Sequence, residues 1–455
     1  MIMMRLLEKT LGGTVMTSSQ VLRLMFPLLL DQIFLRVITV VSTAMISYYR
    51  PEAMAAVSLV NSVNFFITAL FTAVATGCTV VVAQYCGRRD YRKARTTVAQ
   101  SLTTSTALSI IIAVSVLVFL NPMVRLLFGE GDPLLLYYCR IFLAGSAISY
   151  PFFAISQTIL GALRGEGKMK ASFYFTTAQN GLNLLLNIIF LRFFTLGVMG
   201  LAISIVVSRM VVCGIMLVYL FRTSKEYPYE LKEFFRIIKA IQRSVFLIAL
   251  PIMLEAVFFN GGRLITQTMI VSLGTMSLAA NAYTLNVTMI ITVIGDVMLI
   301  AIVTIVGQCI GAGDVQEAKR YAKRLTVLAV LGSWLLSGIL AIMLPSFMGL
   351  FNLPPEAYDI ALRISWLFII FAPIVWPASF VIPNALRGAG DALYTSVVAL
   401  VLLWIFRIAV VYVLIIVFDF SLMSVMITML SEWGVRSIIF MNRLRGDKWY
   451  RHKVI

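Results

Sequence analysis

Long apolar runs that do not alternate with polar residues dominate this chain. Of its 455 residues, 60% are hydrophobic and 13% are charged, and the mean hydropathy is +0.96. Soluble domains have about 25% charged residues, so a soluble core cannot bury this much apolar surface. A segment that crosses lipid must satisfy its own backbone hydrogen bonds, and about 20 apolar residues make a spanning helix. We therefore predict an all-α protein that crosses a membrane many times.

The apolar runs form two groups of six on either side of a polar segment. Hydropathy and the positions of Gly and Pro indicate about twelve spans. The predicted spans are 20–48, 53–84, 96–120, 134–160, 170–192, 197–221, 245–272, 277–307, 325–348, 358–385, 393–418 and 421–442. The predicted domains are an N-terminal segment at 1–19, a six-helix bundle at 20–221, a connector at 222–244, a second six-helix bundle at 245–442 and a basic tail at 443–455.

The two halves of the chain repeat each other. At an offset of 224 positions, Pro27 aligns with Pro251 and Asp31 with Glu255. At an offset of 223, the segment 163–167 (Leu-Arg-Gly-Glu-Gly) aligns with 386–390 (Leu-Arg-Gly-Ala-Gly). Repeated membrane halves place a transport site at the interface between them. The repeat therefore predicts two pseudo-symmetric bundles around a central cavity, and it directs attention to acids that recur inside apolar segments.

The net charge of +17 is distributed unevenly among the loops. With the N-terminus inside, the inner loops and the connector are rich in Lys and Arg, and the outer loops hold few. The loop residues concerned are Arg88, Arg89, Arg92, Lys93, Arg95, Arg164, Lys168, Lys170, Lys319, Arg320, Lys323, Arg324 and Arg387. This positive-inside pattern predicts that both termini are cytoplasmic and that the loops contact anionic membrane lipids. Nucleic-acid binding is excluded because there is no basic domain outside the membrane.

Cysteine and histidine are sparse. None of the five cysteines forms a Cys-x-x-Cys pair, so neither a disulfide framework nor a zinc site is expected. The single histidine, His452, lies in the polar tail and is expected to be solvated. No cofactor is expected beyond a coupling ion.

Three acids stand inside apolar spans: Glu255, Asp31 and Asp296. A charge at the bilayer centre costs about 2.5–3.5 kcal/mol, so each must face a cavity or a partner. A carboxylate in a semi-dry cavity can bind a proton, and its oxygens can ligate a sodium ion. We predict these acids as ion-coupling candidates, with Na⁺ at Glu255 as the one metal to consider. The alternative is that Asp31 and Glu255 lie near the membrane interface, where water or a neighbouring basic residue hydrogen-bonds to the carboxylate.

Three bases lie at similar depth: Arg36, Arg263 and Arg407. Each is a candidate to line the substrate cavity. The alternative is an intramembrane ion pair that holds helices together. Arg407 is the deepest base of the second half and is predicted to pair with Asp296 or Glu255.

Uncharged polar side chains mark helix faces that turn away from lipid. The candidates for the cavity are Asn180, Asn183, Asn187, Asn260 and Gln267. The alternative is ordinary hydrogen bonding between helices, worth about 0.6–2 kcal/mol each. Glu432 and Arg436 are four residues apart and are predicted to form a structural pair.

One predicted span, 358–385, contains Pro373, Pro377 and Pro383. Each proline removes a backbone hydrogen bond and can kink a helix. We predict that this span is a bending gate, although packing alone can also explain such prolines.

Six motifs stand out along the chain: VAQYCGRRDYRKAR, VGQCIGAGDVQEAKR, GALRGEGKMK, NALRGAGD, GVMGLAIS and LGTMSLAANA. Together they resemble those of the MATE (multidrug and toxic compound extrusion) family, within the multidrug/oligosaccharidyl-lipid/polysaccharide flippase superfamily, and the resemblance covers 19–445. It implies twelve helices in two six-helix bundles arranged as a V around a central cavity. It also implies efflux of organic, often cationic compounds in exchange for Na⁺ or H⁺.

One position departs from the family pattern. Many members have an aspartate in the first helix where this chain has Ser42, within Val41–Met45. The usual coupling acid of the first half is therefore absent, and Glu255 fits the family's acid in the seventh helix better than Asp31 does. This favours a coupling site in the second half, with Ser42 left as a candidate cavity residue.

These observations predict a cation-coupled antiporter of a bacterial inner membrane that exports drugs and toxic compounds by alternating access. The expected substrates are small, amphipathic and cationic, and the expected state is a monomer. Two alternatives stay open. One is a flippase for lipids or lipid-linked saccharides, in which a strongly cationic cavity is expected. The other is a polytopic membrane enzyme acting on lipids, which would need a cluster of His, Asp or Ser at a membrane face.

Overall fold

The structure is a computed structural model. It describes residues 12–13, 15–47, 51–129, 132–223, 233–234, 238–349, 354–418, 421–452 and 454–455. The first half contains α1 (Ser18–Ser47), α2 (Pro51–Gly87), α3 (Tyr91–Val118), α4 (Leu120–Phe128), α5 (Pro133–Gly165), α6 (Met169–Ile188), a π-helical turn (Ile189–Phe193) and α7 (Gly197–Thr223).

The second half repeats this order of long helices. It contains α8 (Lys239–Ser272), α9 (Thr275–Gly311), α10 (Val315–Gly349), α11 (Pro355–Gly388), α12 (Ala392–Val401), a π-helical turn (Leu402–Ile408), α13 (Ala409–Tyr412), a second π-helical turn (Val413–Val417) and α14 (Leu422–Arg445).

In the described part of the chain, ten helices are long and apolar enough to cross a membrane. They are α2, α3, α5, α7, α8, α9, α10, α11, the segment Ala392–Ile415 and α14. The predicted class, an all-α protein that spans a membrane many times, is confirmed. The count of twelve spans stays a prediction, because α1 and α6 are not among these ten.

The chain divides into two compact units. The first unit contains Phe26–Met253 with Ile455, and the second contains Leu254–Val454 with Met1–Met25. Both main boundaries fall inside a helix, within α1 and within α8, close to the repeat-related Pro27 and Pro251. The predicted bundle boundaries at 20–221 and 245–442 are not decided by this division and stay a prediction. The connector 222–244 is described only in part.

Each unit has its own apolar core. In the first unit, Phe71, Tyr150 and Leu143 are fully buried among side chains of α2, α5 and α7. In the second unit, Tyr283 and Phe368 are likewise buried among side chains of α9, α10 and α11. Apolar side chains gain no transfer free energy when they leave lipid, so close packing of these side chains is what holds the long helices that carry the charged residues described below.

The segment before α1 is held by the buried carboxylate of Glu317 on α10. The backbone N–H groups of Val15 and Met16 donate to this carboxylate at 3.0 and 3.2 Å. The hydroxyl of Tyr321 donates to the carbonyl oxygen of Met16 at 2.7 Å. These hydrogen bonds explain why the N-terminal residues belong to the second unit.

The C-terminal tail is packed against the second unit. Trp449 is fully buried, and its Nε1 donates to the carbonyl oxygen of Leu444 at 3.1 Å. Nε2 of His452 lies 3.2 Å from Oδ1 of Asp391, and the histidine side chain is 48% exposed. The histidine side chain is therefore exposed, as expected, and it also contacts Asp391 in the loop between α11 and α12.

Candidate functional site

The carboxylate of Glu255 on α8 is the centre of a buried ion-pair site in the second unit. Its side chain is 13% exposed. Its Oε2 accepts hydrogen bonds from Nη2 of Arg387 and, at 2.7 Å, from Oγ of Ser396. Its Oε1 lies 3.9 Å from Nη2 of Arg436. Oε2 therefore accepts two hydrogen bonds, whereas Oε1 makes only the longer ion-pair contact. Hydrogen bonds to charged groups are about twice as strong as neutral ones.

The site continues along α14. Nη1 of Arg436 lies 4.0 Å from Oε1 of Glu432, and Oε2 of Glu432 accepts a hydrogen bond from Arg407. Glu432 has no exposed surface and Arg436 is 3% exposed, and the Arg436 guanidinium lies 4.8 Å from the ring centre of Phe380. We call this set the buried charge cluster: Glu255, Arg387, Arg407, Glu432 and Arg436. It has three guanidinium groups and two carboxylates.

The motif Leu-Arg-Gly-Ala-Gly positions Arg387. A Cβ atom on Gly388 would lie 2.8 Å from the carbonyl oxygen of Val303 on α9, so only glycine allows α11 to approach so closely. Gly390 has a φ of 103°, which side chains other than glycine rarely adopt, and it turns the chain into α12. There Thr395 accepts a hydrogen bond from Nε of Arg387 at 3.2 Å. The guanidinium thus spans Thr395 and Glu255.

The first unit repeats this arrangement at the repeat-related positions. Asp31 on α1 is 2% exposed, and the charge of Arg164, at the end of α5, acts on it. Nε of Arg164 donates to Oγ of Ser172 on α6 at 3.1 Å. Asp31 and Arg164 correspond to Glu255 and Arg387, and Ser172 corresponds to Thr395.

The glycines of the first motif have the same role as those of the second. A Cβ atom on Gly165 would lie 2.7 Å from the carbonyl oxygen of Thr79 on α2, and Thr79 is the repeat equivalent of Val303. Gly167 has a φ of 80°. The sequence therefore builds an acid–arginine–hydroxyl group twice, once in each unit.

The two sites differ in how fully the acid is bonded. Oδ1 of Asp31 is buried and has no hydrogen-bond partner. Oε2 of Glu255 accepts two hydrogen bonds, and Oε1 lies 3.9 Å from Nη2 of Arg436. A buried polar atom without a partner costs about 1–3 kcal/mol. The carboxylate of the first unit is therefore the less satisfied of the two.

The structure changes the predicted partner of Arg407. It lies in the π-helical turn Leu402–Ile408 and binds Glu432, so the predicted pairing with Glu255 or Asp296 is wrong. Arg407 lies in a π-helical turn next to α14, which carries Glu432. The position of Arg407 within its apolar span did not predict either feature. The predicted contact between Glu432 and Arg436 is present.

The other predicted charged residues lie outside the buried charge cluster. Asp296 is half-buried on α9, Arg36 is half-buried on α1, and Arg263 is exposed on α8. Ser42 falls within α1, but its side chain lies outside the described residues. A coupling or cavity role for these four positions stays a prediction.

The predicted amides make hydrogen bonds within the protein. Asn183 donates to Ser208 on α7 at 3.3 Å and accepts from Asn187 at 3.2 Å. Asn281 donates to Gln267 at 3.4 Å. Asn180 and Asn260 donate to backbone oxygens of their own helices, at 2.9 and 2.7 Å. These contacts agree with the helix-packing alternative, and a role in the cavity stays a prediction.

The three prolines lie within one continuous helix. Pro373, Pro377 and Pro383 are buried inside α11. On the same helix, Trp376 stacks on Phe380 with ring centres 5.0 Å apart. The role of this helix as a gate stays a prediction.

Sequence reasoning missed Arg164 and Arg387 as members of the site. It assigned both to inner loops facing lipid headgroups, but Arg387 is 11% exposed and bound to Glu255. The signal was available, because these arginines recur with nearly the same offset as Asp31 and Glu255. It missed Arg209 as well, a base inside α7 that donates to Ser149 at 2.8 Å.

The described residues contain no group of three or more His, Cys, Asp or Glu side chains that could hold a metal ion. Oε2 of Glu255 already accepts hydrogen bonds from Arg387 and Ser396, and Na⁺ at Glu255 stays a prediction.

Comparison with known proteins agrees with the repeat. The family model described as MatE matches residues 27–189 and again 251–413. The uncharacterized transporter YisQ of Bacillus subtilis is 26% identical over 414 residues, which cover 90% of this chain and 90% of that protein. The probable multidrug resistance protein NorM of Thermotoga maritima is 24% identical over 458 residues, covering 96% and 94%.

Solved structures share the fold. A MOP-superfamily transporter from Pyrococcus furiosus superposes with a TM-score of 0.86 at 20% identity, covering 96% of this chain and 97% of that one. An outward-facing multidrug resistance MATE-family transporter superposes with a TM-score of 0.84, with the same identity and coverage. At this identity the similarity establishes the architecture alone.

Proposed function

This chain belongs to the MatE family, and we propose that it exports small organic, often cationic compounds in exchange for H⁺ or Na⁺. Members of this family are transporters, so we propose that it has no enzymatic reaction of its own. Relatives described as probable multidrug resistance proteins support the substrate class. We further propose a monomer in a bacterial inner membrane with both termini cytoplasmic, which the distribution of Lys and Arg supports.

One observation carries the coupling part of the proposal: each unit has an intramembrane acid opposite a motif arginine. A cation that binds the acid competes with the arginine, so the ion changes the contacts that hold α11 or α5 in place. Coupling requires only that the ion bind two conformations with unequal affinity. The candidate coupling acids are Glu255 and Asp31, with Asp296 as a third.

The proposed cycle is alternating access, as in other transporters built from repeats. Binding of the coupling cation favours the outward-open state and lowers the affinity for the drug. Release of the cation inside restores the state that binds drug. A 1:99 to 99:1 change in population needs an affinity difference of about 5.5 kcal/mol. Breaking one buried ion pair, at about 3–5 kcal/mol, supplies most of this difference.

A second candidate is a flippase for anionic lipids or lipid-linked saccharides. It is favoured by one observation: the buried charge cluster has one more arginine than carboxylate. An excess of buried positive charge attracts a phosphate group. Because the cluster arginines already bind carboxylates, we place this alternative second.

Export from everted membrane vesicles tests the proposal. With the protein in vesicles of a drug-sensitive bacterium, we expect an imposed pH or Na⁺ gradient to drive uptake of ethidium, measured by fluorescence. We expect collapse of that gradient to reduce uptake at least tenfold. Vesicles with the Glu356→Gln protein are a control, since this acid is exposed on the first turn of α11. Movement of a fluorescent phospholipid without ethidium uptake would support the flippase.

A further inference from the structure

Arg209 is a basic residue near the midpoint of α7, a helix of 27 residues in the first unit. Its side chain is half-buried, and its Nη1 donates to Oγ of Ser149 on α5 at 2.8 Å. The centre of the guanidinium lies 4.4 Å from the ring centre of Phe153, which is also on α5. Contacts with α5 therefore fix one edge and one face of the guanidinium.

No carboxylate neutralises Arg209 within the part of the chain that the structure describes. None of the ion pairs between described residues includes it, and the ionisable group that acts on its charge is the phenol of Tyr150. Asp31 is the one acid inside the predicted spans of the first half, and the charge that acts on it is that of Arg164. Arg209 thus keeps an unbalanced positive charge in the middle of a span.

The second unit has an acid at the position where the first unit has none. At the offset of 224 positions, Glu432 of α14 aligns with Ser208 of α7, and both residues are buried. Glu432 lies 4.0 Å from Arg436 on the same helix, so α14 carries a carboxylate beside its buried base. The first unit has a serine at this place, directly before Arg209, and the base of α7 has no such acid.

The free N–H groups of Arg209 suit an anionic ligand. A charged side chain inside a membrane span faces either a partner or a water-filled cavity. Nη1 makes the one hydrogen bond of this guanidinium to a described residue, and the half-buried side chain leaves its other N–H groups accessible. Arginine has five N–H donors in a planar fork that matches the two oxygens of a carboxylate. The open edge of Arg209 therefore has the shape and charge to bind an oxyanion.

A chain of hydrogen bonds between α2 and α5 supports this arrangement. Oγ of Ser149 donates to the carbonyl oxygen of Ser146 at 2.7 Å. Oγ of Ser146 accepts from Nδ2 of Asn64 on α2 at 3.0 Å, and Oδ1 of Asn64 accepts from the hydroxyl of Tyr150 at 2.7 Å. These side chains are uncharged, so they orient the guanidinium of Arg209 without neutralising it.

We propose that Arg209 binds an oxyanion group, such as a carboxylate, of the transported compound. The favoured substrates are then organic cations that also carry an anionic group. This inference rests on the proposed export and narrows its substrate class. The oxyanion neutralises Arg209 inside the span, and charge-assisted hydrogen bonds are strong in a medium of low dielectric constant. A compound whose carboxylate is esterified leaves the guanidinium charge unbalanced.

Two dyes that differ in a single group test this inference. The acid dye is a rhodamine with a free carboxylate beside its cationic ring system, and the ester dye is the methyl ester of the same rhodamine. Binding of each dye to the purified full chain is measured by fluorescence polarisation, and gradient-driven uptake is measured in proteoliposomes. We expect the wild type to bind the acid dye with a Kd about tenfold or more below that of the ester dye, because it gains hydrogen bonds between charged groups.

Variants of α7 separate recognition from folding. We expect Arg209→Gln to raise the Kd of the acid dye by about tenfold or more and that of the ester dye much less. We expect Arg209→Glu to reverse the preference, because a carboxylate at this place attracts the cationic ester dye. The matched control is Arg222→Gln, an exposed base in the last turn of the same helix, which should match the wild type with both dyes. A wild type that binds both dyes equally, or an Arg209→Gln variant whose affinity for both falls by the same factor, overturns the inference.

A membrane lipid is the other source of an oxyanion. Movement of a fluorescent phosphatidylglycerol between leaflets is measured in the same proteoliposomes. Lipid movement that depends on Arg209, without uptake of the acid dye, overturns the assignment of the site to a small substrate.

The failure of this inference and that of the proposed function give different results. If neither dye nor ethidium is taken up under a pH or Na⁺ gradient, the proposed export is wrong, and the binding measurement still decides the role of Arg209. If the dyes are exported without preference for the acid dye, export stands and the role of Arg209 in recognition is wrong.

Discussion

Replacing Glu432 with alanine is expected to destabilise the second unit by about 3–5 kcal/mol, the cost typical of breaking a buried ion pair. Glu432 is fully buried and contacts both Arg407 and Arg436. Without its carboxylate, two guanidinium groups remain in an apolar interior with less compensation. We expect the apparent Tm of the detergent-solubilised protein to fall by several degrees and the monodisperse fraction to decrease.

The control for this prediction removes both charges of one pair. The double variant Glu432→Gln with Arg407→Gln takes out one carboxylate and one guanidinium, so the buried charge cluster keeps its net charge. We expect the double variant to unfold at a higher temperature than Glu432→Gln alone. If Glu432→Gln alone has the same Tm as the control Glu356→Gln, the buried charge cluster does not hold α14 in place.

Arg387→Lys is expected to lower the rate of drug export at least tenfold even though it keeps the positive charge. The guanidinium of Arg387 donates to Glu255 through Nη2 and to Thr395 through Nε. A lysine ammonium is a single point charge and cannot span both acceptors in this geometry. The lysine would therefore lose either the contact with Glu255 on α8 or the contact with Thr395 on α12.

The matched control is Arg320→Lys, since Arg320 is an exposed base of α10. Its export of ethidium should match that of the wild type. Arg164→Lys tests the repeat-related position, where Nε binds Ser172. If Arg387→Lys exports at the wild-type rate, the geometry of the arginine does not matter and only its charge is needed.

The fold class follows from the sequence because a chain in lipid must hydrogen-bond its own backbone groups. Long apolar runs can satisfy their backbone groups in a membrane only as helices or closed barrels, and runs without alternation favour helices. The repeat is visible in the sequence, and the family match at 27–189 and 251–413 reproduces it. These inferences depend on local pattern, which a sequence displays directly.

The partners of the acids do not follow from local pattern. Arg387 stands 132 residues from Glu255, and the glycines beside it indicated a loop rather than a close contact between α11 and α9. Arg407 was expected near Glu255, yet the π-helical turn containing it leads to Glu432. Such contacts depend on helix packing, and the repeated offset of Arg164 and Arg387 was the one sequence signal for them.

The inequality between Asp31 and Glu255 is also beyond sequence reasoning. Both acids stand four residues after a proline in repeat-related helices, so the repeat alone does not distinguish their contacts. Ser396 donates a hydrogen bond to Glu255 and Arg436 forms an ion pair with it, whereas Oδ1 of Asp31 has no hydrogen-bond partner. Repeated scaffolds can therefore hold unequal chemistry at equivalent positions.

The most direct test of the central claim, that drug and cation move in opposite directions through this protein, measures coupling in reverse. Proteoliposomes containing the protein and a trapped pH dye are preloaded with ethidium and diluted into drug-free medium without an imposed ion gradient. Efflux of the drug is expected to draw the coupling cation inward, so that the lumen acidifies or, in a parallel measurement, Na⁺ enters. Drug efflux with a constant luminal pH, and with no Na⁺ influx in a parallel measurement, would contradict cation-coupled antiport.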